Sequence, residues 1–388
     1  MKRLHPLSIA FTFAGCFLGA GFVSGQELGQ FFASFGKEGL YGLVIMLTLL
    51  PAFGILLLRL VAISDIGECD ALVVRSRNRF FMAFIGFAEN LFLFGVAVIM
   101  TAGAGALFTQ LFSFPAWIAT ALFSLLLFLF LLGGVERMVA LFSVTVPILV
   151  VVMAAVCGIC LFRYGFPDYS VVPAHEGKNP LLQSFLFSAL SFVAYNAFLS
   201  VSILTPVGRM VRSRKTVYIG ILTGTALLAV IAFGIFSVLL LFPDALSDEL
   251  PMLTVAANLS PILGYVCAAL LLLGMLGTGV SSLVAMQNYV RLRLKKSELF
   301  NRAFSAVLCL LCFAGSLFGF GDLIGTIYPI SGYLGTIALV CIAEHYFHLA
   351  RKKKKEAPKK RKKTEKKQRR AEKETADFIE EILQGENI

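Results

Sequence analysis

Charge is scarce in this chain. Only 15% of its 388 residues are Asp, Glu, Lys or Arg, against about 25% in a soluble globular protein. Tryptophan occurs once and histidine four times. This composition excludes an ordinary soluble domain, a disordered chain and a collagen. No run of about ten residues alternates polar with apolar, so a transmembrane β-barrel is excluded too. Apolar residues, in contrast, are abundant. They make up 58% of the chain, phenylalanine alone occurs 37 times, and the mean hydropathy is +0.84. Together these values describe a polytopic membrane protein.

The eight cysteines give no disulfide framework. Cys16, Cys157, Cys160, Cys267, Cys309, Cys312 and Cys341 lie in apolar runs, and Cys69 lies in a polar loop. The pairs Cys157–Cys160 and Cys309–Cys312 have metal-like spacing, but no histidine or polar flank accompanies them. They are expected to pack as small apolar side chains.

The formal net charge of +11 is uneven. Residues 351–388 hold 15 Lys or Arg and 8 Asp or Glu, a net of +7, which leaves +4 for the preceding 350 residues. The basicity is therefore a tail and not a nucleic-acid-binding face. The segment RKKKKEAPKKRKKTEKKQRR cannot bury a core, whereas ADFIEEILQ has the pattern of a short helix. The chain divides into a membrane domain, 1–348, and a solvated tail, 349–388. The tail is expected to anchor topology, and it can attract anionic lipid at about 1 kcal/mol per charge.

A membrane-crossing helix needs about 20 apolar residues. Ten runs qualify: 7–35, 39–63, 81–108, 115–133, 138–162, 181–205, 216–242, 261–291, 301–319 and 322–346. They are numbered spans 1 to 10. The first is too long for a cleaved signal segment, and no small-residue cleavage site follows it. With both termini cytoplasmic, the inner loops and ends hold fifteen basic residues before the tail, among them Arg75, Arg77, Arg79, Arg137, Arg209 and Arg291. The outer loops hold Lys37, Arg163 and Lys178. This asymmetry sets the expected orientation. Two outer connections are long, 163–180 and 243–260. The second contains a short amphipathic segment from Pro251 that suits an external gate.

Span 1 contains FAGCFLGAGFVSGQELGQFF. Gly15, Gly19, Gly21 and Gly25 fall within eleven residues, around Ser24. Each Gly costs about 1 kcal/mol relative to Ala in a helix, which suggests an unwound stretch over Gly19–Gly25. The same residues also fit small-xxx-small helix packing. Ten spans divide as five plus five, and transporters with inverted repeats interrupt corresponding helices. Span 6, the counterpart of span 1, carries Ser188, Ser191, Phe192, Tyr195, Asn196 and Ser200. It is expected to break between Ser188 and Asn196, facing the break in span 1 at the midplane. Span 8 carries Thr278, Ser281 and Ser282 among Gly274, Gly277 and Gly279.

These three features resemble the LeuT-like fold of the amino acid/polyamine/organocation (APC) transporter superfamily. Within it, GAGFVSGQE followed by QFF resembles the YkvI-like bacterial membrane proteins. The resemblance covers the ten spans and not the tail. It implies an all-α protein of the bacterial inner membrane in which the breaks of spans 1 and 6 cradle a substrate. The substrate set it implies is Gly19, Ala20, Gly21, Phe22, Ser24, Gly25, Ser188, Ser191, Phe192, Tyr195 and Asn196. A coupled sodium ion would take the carbonyls of Gly19, Phe22 and Gly277 and the Ser281 hydroxyl. Val280 stands where the pattern often has a second hydroxyl.

Intramembrane carboxylates offer another coupling route, because a charge at mid-membrane is costly and marks function. Glu89 lies about 15 Å into span 3 at 1.5 Å per residue, near the midplane, with Asn196 as a candidate partner. Glu27 lies about 9 Å outward of Gly21, along an entry path. No phosphate-binding loop, HExxH motif or Ser-His-Asp set occurs, so the chain is not expected to be an enzyme. No cofactor is expected beyond a coupled sodium ion. The expected function is symporter-type secondary transport by alternating access, driven by protons or sodium. The substrate class is a small organic solute, with an amino acid or related amine favoured. The competing reading is a non-transporting membrane sensor of transporter shape.

Overall fold

The computed structural model describes residues 5–63, 79–132, 135–170, 179–211, 213–294, 297–349 and 351. Every regular element among them is helical, as backbone groups in lipid require. Span 1 holds three short helices, Pro6–Phe17, Ala20–Val23 and Gln26–Phe31. Spans 2 to 5 are Lys37–Ile63, Arg79–Phe112, Ala116–Leu131 and Val135–Tyr164. Spans 6 to 9 are Phe185–Met210, Arg214–Leu241, Pro261–Leu294 and Glu298–Ser316, and Phe320–Leu349 is span 10. Among the described residues, seven helices are long and apolar enough to cross a membrane, while spans 1, 4 and 6 contribute shorter apolar stretches. Trp117, Leu122, Leu129, Val151 and Phe162 stand exposed on the outside of the bundle. Such a surface suits lipid and not water.

The packing carries the expected inverted repeat. Span 2 packs most extensively on span 6, and span 1 on span 7. These two pairs interchange when spans 1 to 5 are mapped onto 6 to 10. Spans 3 and 8, each other's counterparts, pack together at the centre.

Span 1 is interrupted twice. The first helix ends at Leu18, with ψ 53°, and Gly19 is extended. One turn follows, and the chain then passes through Gly25 at φ 86°. That left-handed conformation costs about 1–2 kcal/mol for a residue with a Cβ. The packing alternative for the first pair of glycines is settled by their surroundings. A Cβ on Gly15 or Gly19 would meet nothing within 4 Å, so these glycines do not seat a neighbouring helix.

Span 6 departs from expectation, because its helix runs unbroken from Phe185 to Met210. No glycine falls between Phe185 and Val207, and three of its polar side chains bond within the helix. Asn196 donates to the Phe192 carbonyl at 3.1 Å, Ser200 to Ala197 at 2.9 Å and Thr205 to Val201 at 2.6 Å. Such back-bonding accommodates polar side chains without freeing backbone groups.

The expected short segment from Pro251 is helical. A 3₁₀ turn, Pro243–Ser247, leads to the helix Pro251–Leu259. The Met252 N–H donates to the Ser24 carbonyl at 2.8 Å, and Gln110 of span 3 donates to Thr254 Oγ1 at 2.6 Å. Glu249 accepts from the Gly321 N–H, at the start of span 10, at 2.6 Å. Burial lifts the Glu249 carboxyl above its ordinary range, the Gly321 bond opposes the rise, and Asp322 adds to it. The tail from 352 onward, the arginine-bearing loop at 64–78 and residues 171–178 lie outside the described residues.

Gly25 gives the first test. A Cβ there would lie 2.8 Å from Met252 Cγ, in addition to the backbone strain. Gly25→Ala should lower stability by about 1–2 kcal/mol or more, read by thermal unfolding of the purified protein. An unchanged midpoint would contradict the described turn.

Candidate functional site

The interruption of span 1 turns the Gln26–Phe31 helix so that Glu27 faces span 6. Glu27 is 5% exposed. The Tyr195 hydroxyl donates to its Oε2 at 2.6 Å. Its Oε1 rests against the Cα of Gly21, in the space that any Cβ there would fill. Glycine at position 21 is thus a condition for the carboxylate to lie over the break.

Aromatic rings enclose this pair. Phe192 packs against Phe22, Phe31 and Phe32 with centroids 6.2, 5.4 and 5.2 Å apart. Tyr195 stacks on Tyr328 of span 10 at 4.6 Å, and Phe92 of span 3 meets both tyrosines edge-on. Among the described residues, the hydrogen-bond partner of Glu27 is Tyr195. A carboxylate in so apolar a cage needs either a proton or a cation, and aromatic faces also attract cations.

The remaining candidate residues divide between this cage and other places. Ser188 joins spans 6 and 1 by donating to the Phe31 carbonyl at 2.6 Å. Ser24 closes its own turn by donating to the Gly21 carbonyl at 2.9 Å. Ser191 points away, against Gly332 of span 10, and its buried hydroxyl has no hydrogen-bond partner among the described residues. Asn196 is spent on its own helix. Glu89 is half-buried, ten residues from the Arg79 end of a 34-residue helix.

For sodium, the turn Ala20–Val23 does pack against span 8. The Gly19 carbonyl accepts from the Val23 N–H at 3.0 Å and the Phe22 carbonyl from the Gly25 N–H at 3.2 Å. Gly277 is buried, and Ser281 donates to the Thr278 carbonyl at 2.8 Å.

Tyr328 and Phe92 were not legible as site residues. A tyrosine followed by Pro329 in the middle of an apolar run was the available signal for Tyr328. The contact of Gly21 with Glu27 predicts a non-additive pair. Gly21→Ala should cost about 1–3 kcal/mol, as overpacking does, and most of that cost should vanish on a Glu27→Ala background. Unfolding midpoints of the four proteins measure this cycle.

No family model matches the chain. It is 29% identical over 348 residues, 86% of its length, to the uncharacterized membrane protein YkvI of Bacillus subtilis, of which it covers 94%. It is 24% identical over 332 residues to YyaD of the same organism, covering 84% of this chain and 93% of YyaD. Among solved structures it resembles Mhp1, a nucleobase-cation-symport-1 family transporter, with TM-score 0.56 and 16% identity over 80% of this chain and 72% of Mhp1. It also resembles a mutant manganese transporter of Eremococcus coleocola, with TM-score 0.50 and 17% identity over 86% of this chain and 78% of that one. The chain is thus a multi-pass membrane protein that is similar to YkvI over most of its length and has the LeuT-like fold.

Proposed function

We propose that this protein is a secondary transporter of a small, amine-bearing organic solute, with an amino acid or related amine favoured. The transporter reading is supported by the fold. The choice of solute rests on one observation, the buried Glu27 carboxylate held by Tyr195 inside an aromatic cage at the interrupted first span. A positive amine would replace the proton or cation that the carboxylate needs, and Phe22, Phe192 and Tyr195 would enclose the apolar part. The segment 243–260 serves as the outer gate. The membrane is the bacterial inner membrane, with both termini in the cytoplasm. The chain carries out no chemical conversion of its solute.

Protons are favoured over sodium for coupling, and Glu27 over Glu89 as their carrier. Glu27 is the more deeply buried of the two, and its neighbour Tyr195 bridges to the opposite repeat. Sodium has support from a single side chain, Ser281, since Val280 offers no oxygen and hard cations need several oxygen ligands. Gly19, Phe22, Gly277 and Ser281 remain the sodium set if that ion is coupled.

The experiment is uptake into proteoliposomes of a panel of labelled amino acids and amines, under imposed proton or sodium gradients. At least one amine should accumulate with a proton gradient alone. Glu27→Gln should cut the rate about tenfold or more, the effect of losing about 1.4 kcal/mol in the limiting step. Binding without any flux, by folded protein, would favour the sensor reading instead.

A further inference from the structure

At the end of the bundle expected to face outward lies a second concave site, separate from the Glu27 cage. It is a cavity of about 360 Å³ between the second half of span 1, the chain at Asn179–Leu181, Leu246 and the start of span 10. Gln26 and Ser34 form its buried floor, 7% and 6% exposed, while Asp322 and Thr326 are exposed at its mouth.

Most polar groups of the wall are already used. Gln30 Nε2 donates to the Gly321 carbonyl at 2.8 Å, and Asn179 Nδ2 to the Gly325 carbonyl at 2.7 Å. The Ser34 hydroxyl donates to the Gln30 carbonyl at 2.9 Å. These bonds stiffen the wall.

The Gln26 carboxamide is different. It lines the cavity, it is more than nine-tenths buried, and no hydrogen bond satisfies its side chain among the described residues. Its amide is open to the cavity and not sealed in protein, so a bound solute can hydrogen-bond it directly. The charge is equally one-sided. Asp322 lines the mouth, the Glu249 carboxylate sits on the N–H of the adjacent Gly321, and no basic residue is among the described lining.

We infer that this cavity binds a small hydrophilic solute bearing a protonated amine, with the amine on Asp322 and a hydroxyl or carbonyl group on Gln26. Gln26 and Glu27 are consecutive, so they leave the same helix in different directions. One serves the outer cavity and the other the cage. Binding here does not require that the solute then cross the membrane.

A matched set of probes isolates the charge. The full-length protein in lipid nanodiscs is titrated calorimetrically with 4-amino-1-butanol, 1,4-butanediol and 4-hydroxybutyrate. These differ chiefly in charge at one end. The aminoalcohol should bind at least about tenfold tighter than the other two, a difference of about 1.4 kcal/mol. Asp322→Asn should abolish that preference, and Gln26→Leu should weaken binding about tenfold while leaving the order of the probes unchanged. Thr326→Val, an exposed change that leaves the floor intact, should weaken binding severalfold and covers the case in which Gln26→Leu does not fold. Equal binding of the three probes, absence of binding, or a preference that survives Asp322→Asn would overturn the inference. Loss of binding in Glu27→Gln with retention in Asp322→Asn would also overturn it, and would assign the aminoalcohol to the cage.

Discussion

The hydrogen bond between Tyr195 and Glu27 is the interaction on which the rest of the site depends. It ties the interrupted first helix of one repeat to the continuous first helix of the other. Three conditions must hold for it to form. The chain must turn at Gly19 and again at Gly25, so that residue 27 faces span 6. Position 21 must lack a side chain, so that the carboxylate can lie back over the break. The rings of Phe192 and Tyr328 must hold the Tyr195 phenol in place. A buried hydrogen bond to a charged group contributes more than a neutral one, and leaving it unmade is costly. The left-handed turn at Gly25 is thus coupled to the placement of one acidic group.

The break is also treated differently on its two sides. Gly15, Cys16 and Gly19 are half-buried, whereas Ala20 to Gly29 are buried throughout. On the buried side, Met252 donates to Ser24 and its side chain lies against Gly25. Glu249 fastens the same segment to span 10. Movement of the 243–260 segment would therefore have to release spans 1, 3 and 10 together. Such a joint release is how a packed, bistable interface turns a local change into a gate.

Much of this was legible in the sequence, for identifiable reasons. Glycine declares a break because its cost in a helix is intrinsic, and span 1 is interrupted at Gly19 and Gly25 as its composition implied. Hydroxyls and amides do not declare one. Ser200, Asn196 and Thr205 can either replace lost backbone bonds or add to intact ones, and here they add to an intact helix. Ser191 and Tyr195 are four residues apart and share much of a face, yet one meets Gly332 and the other Glu27. Only packing separates them. The roles of Tyr328 and Gln26 depend on contacts across hundreds of residues of chain, which no local pattern encodes.

The central claim is that the span 1 break is the point reached alternately from the two sides of the membrane. Thiol labelling at that point tests it without knowledge of the solute. Ser24→Cys is placed in a chain whose eight native cysteines have been replaced, and the protein is reconstituted in one orientation. An impermeant thiol reagent is then applied from either face. The account predicts that Cys at this position reacts from both faces, and that conditions which raise reactivity from one face lower it from the other. Reactivity confined to a single face under all conditions, in protein that remains folded, would contradict it.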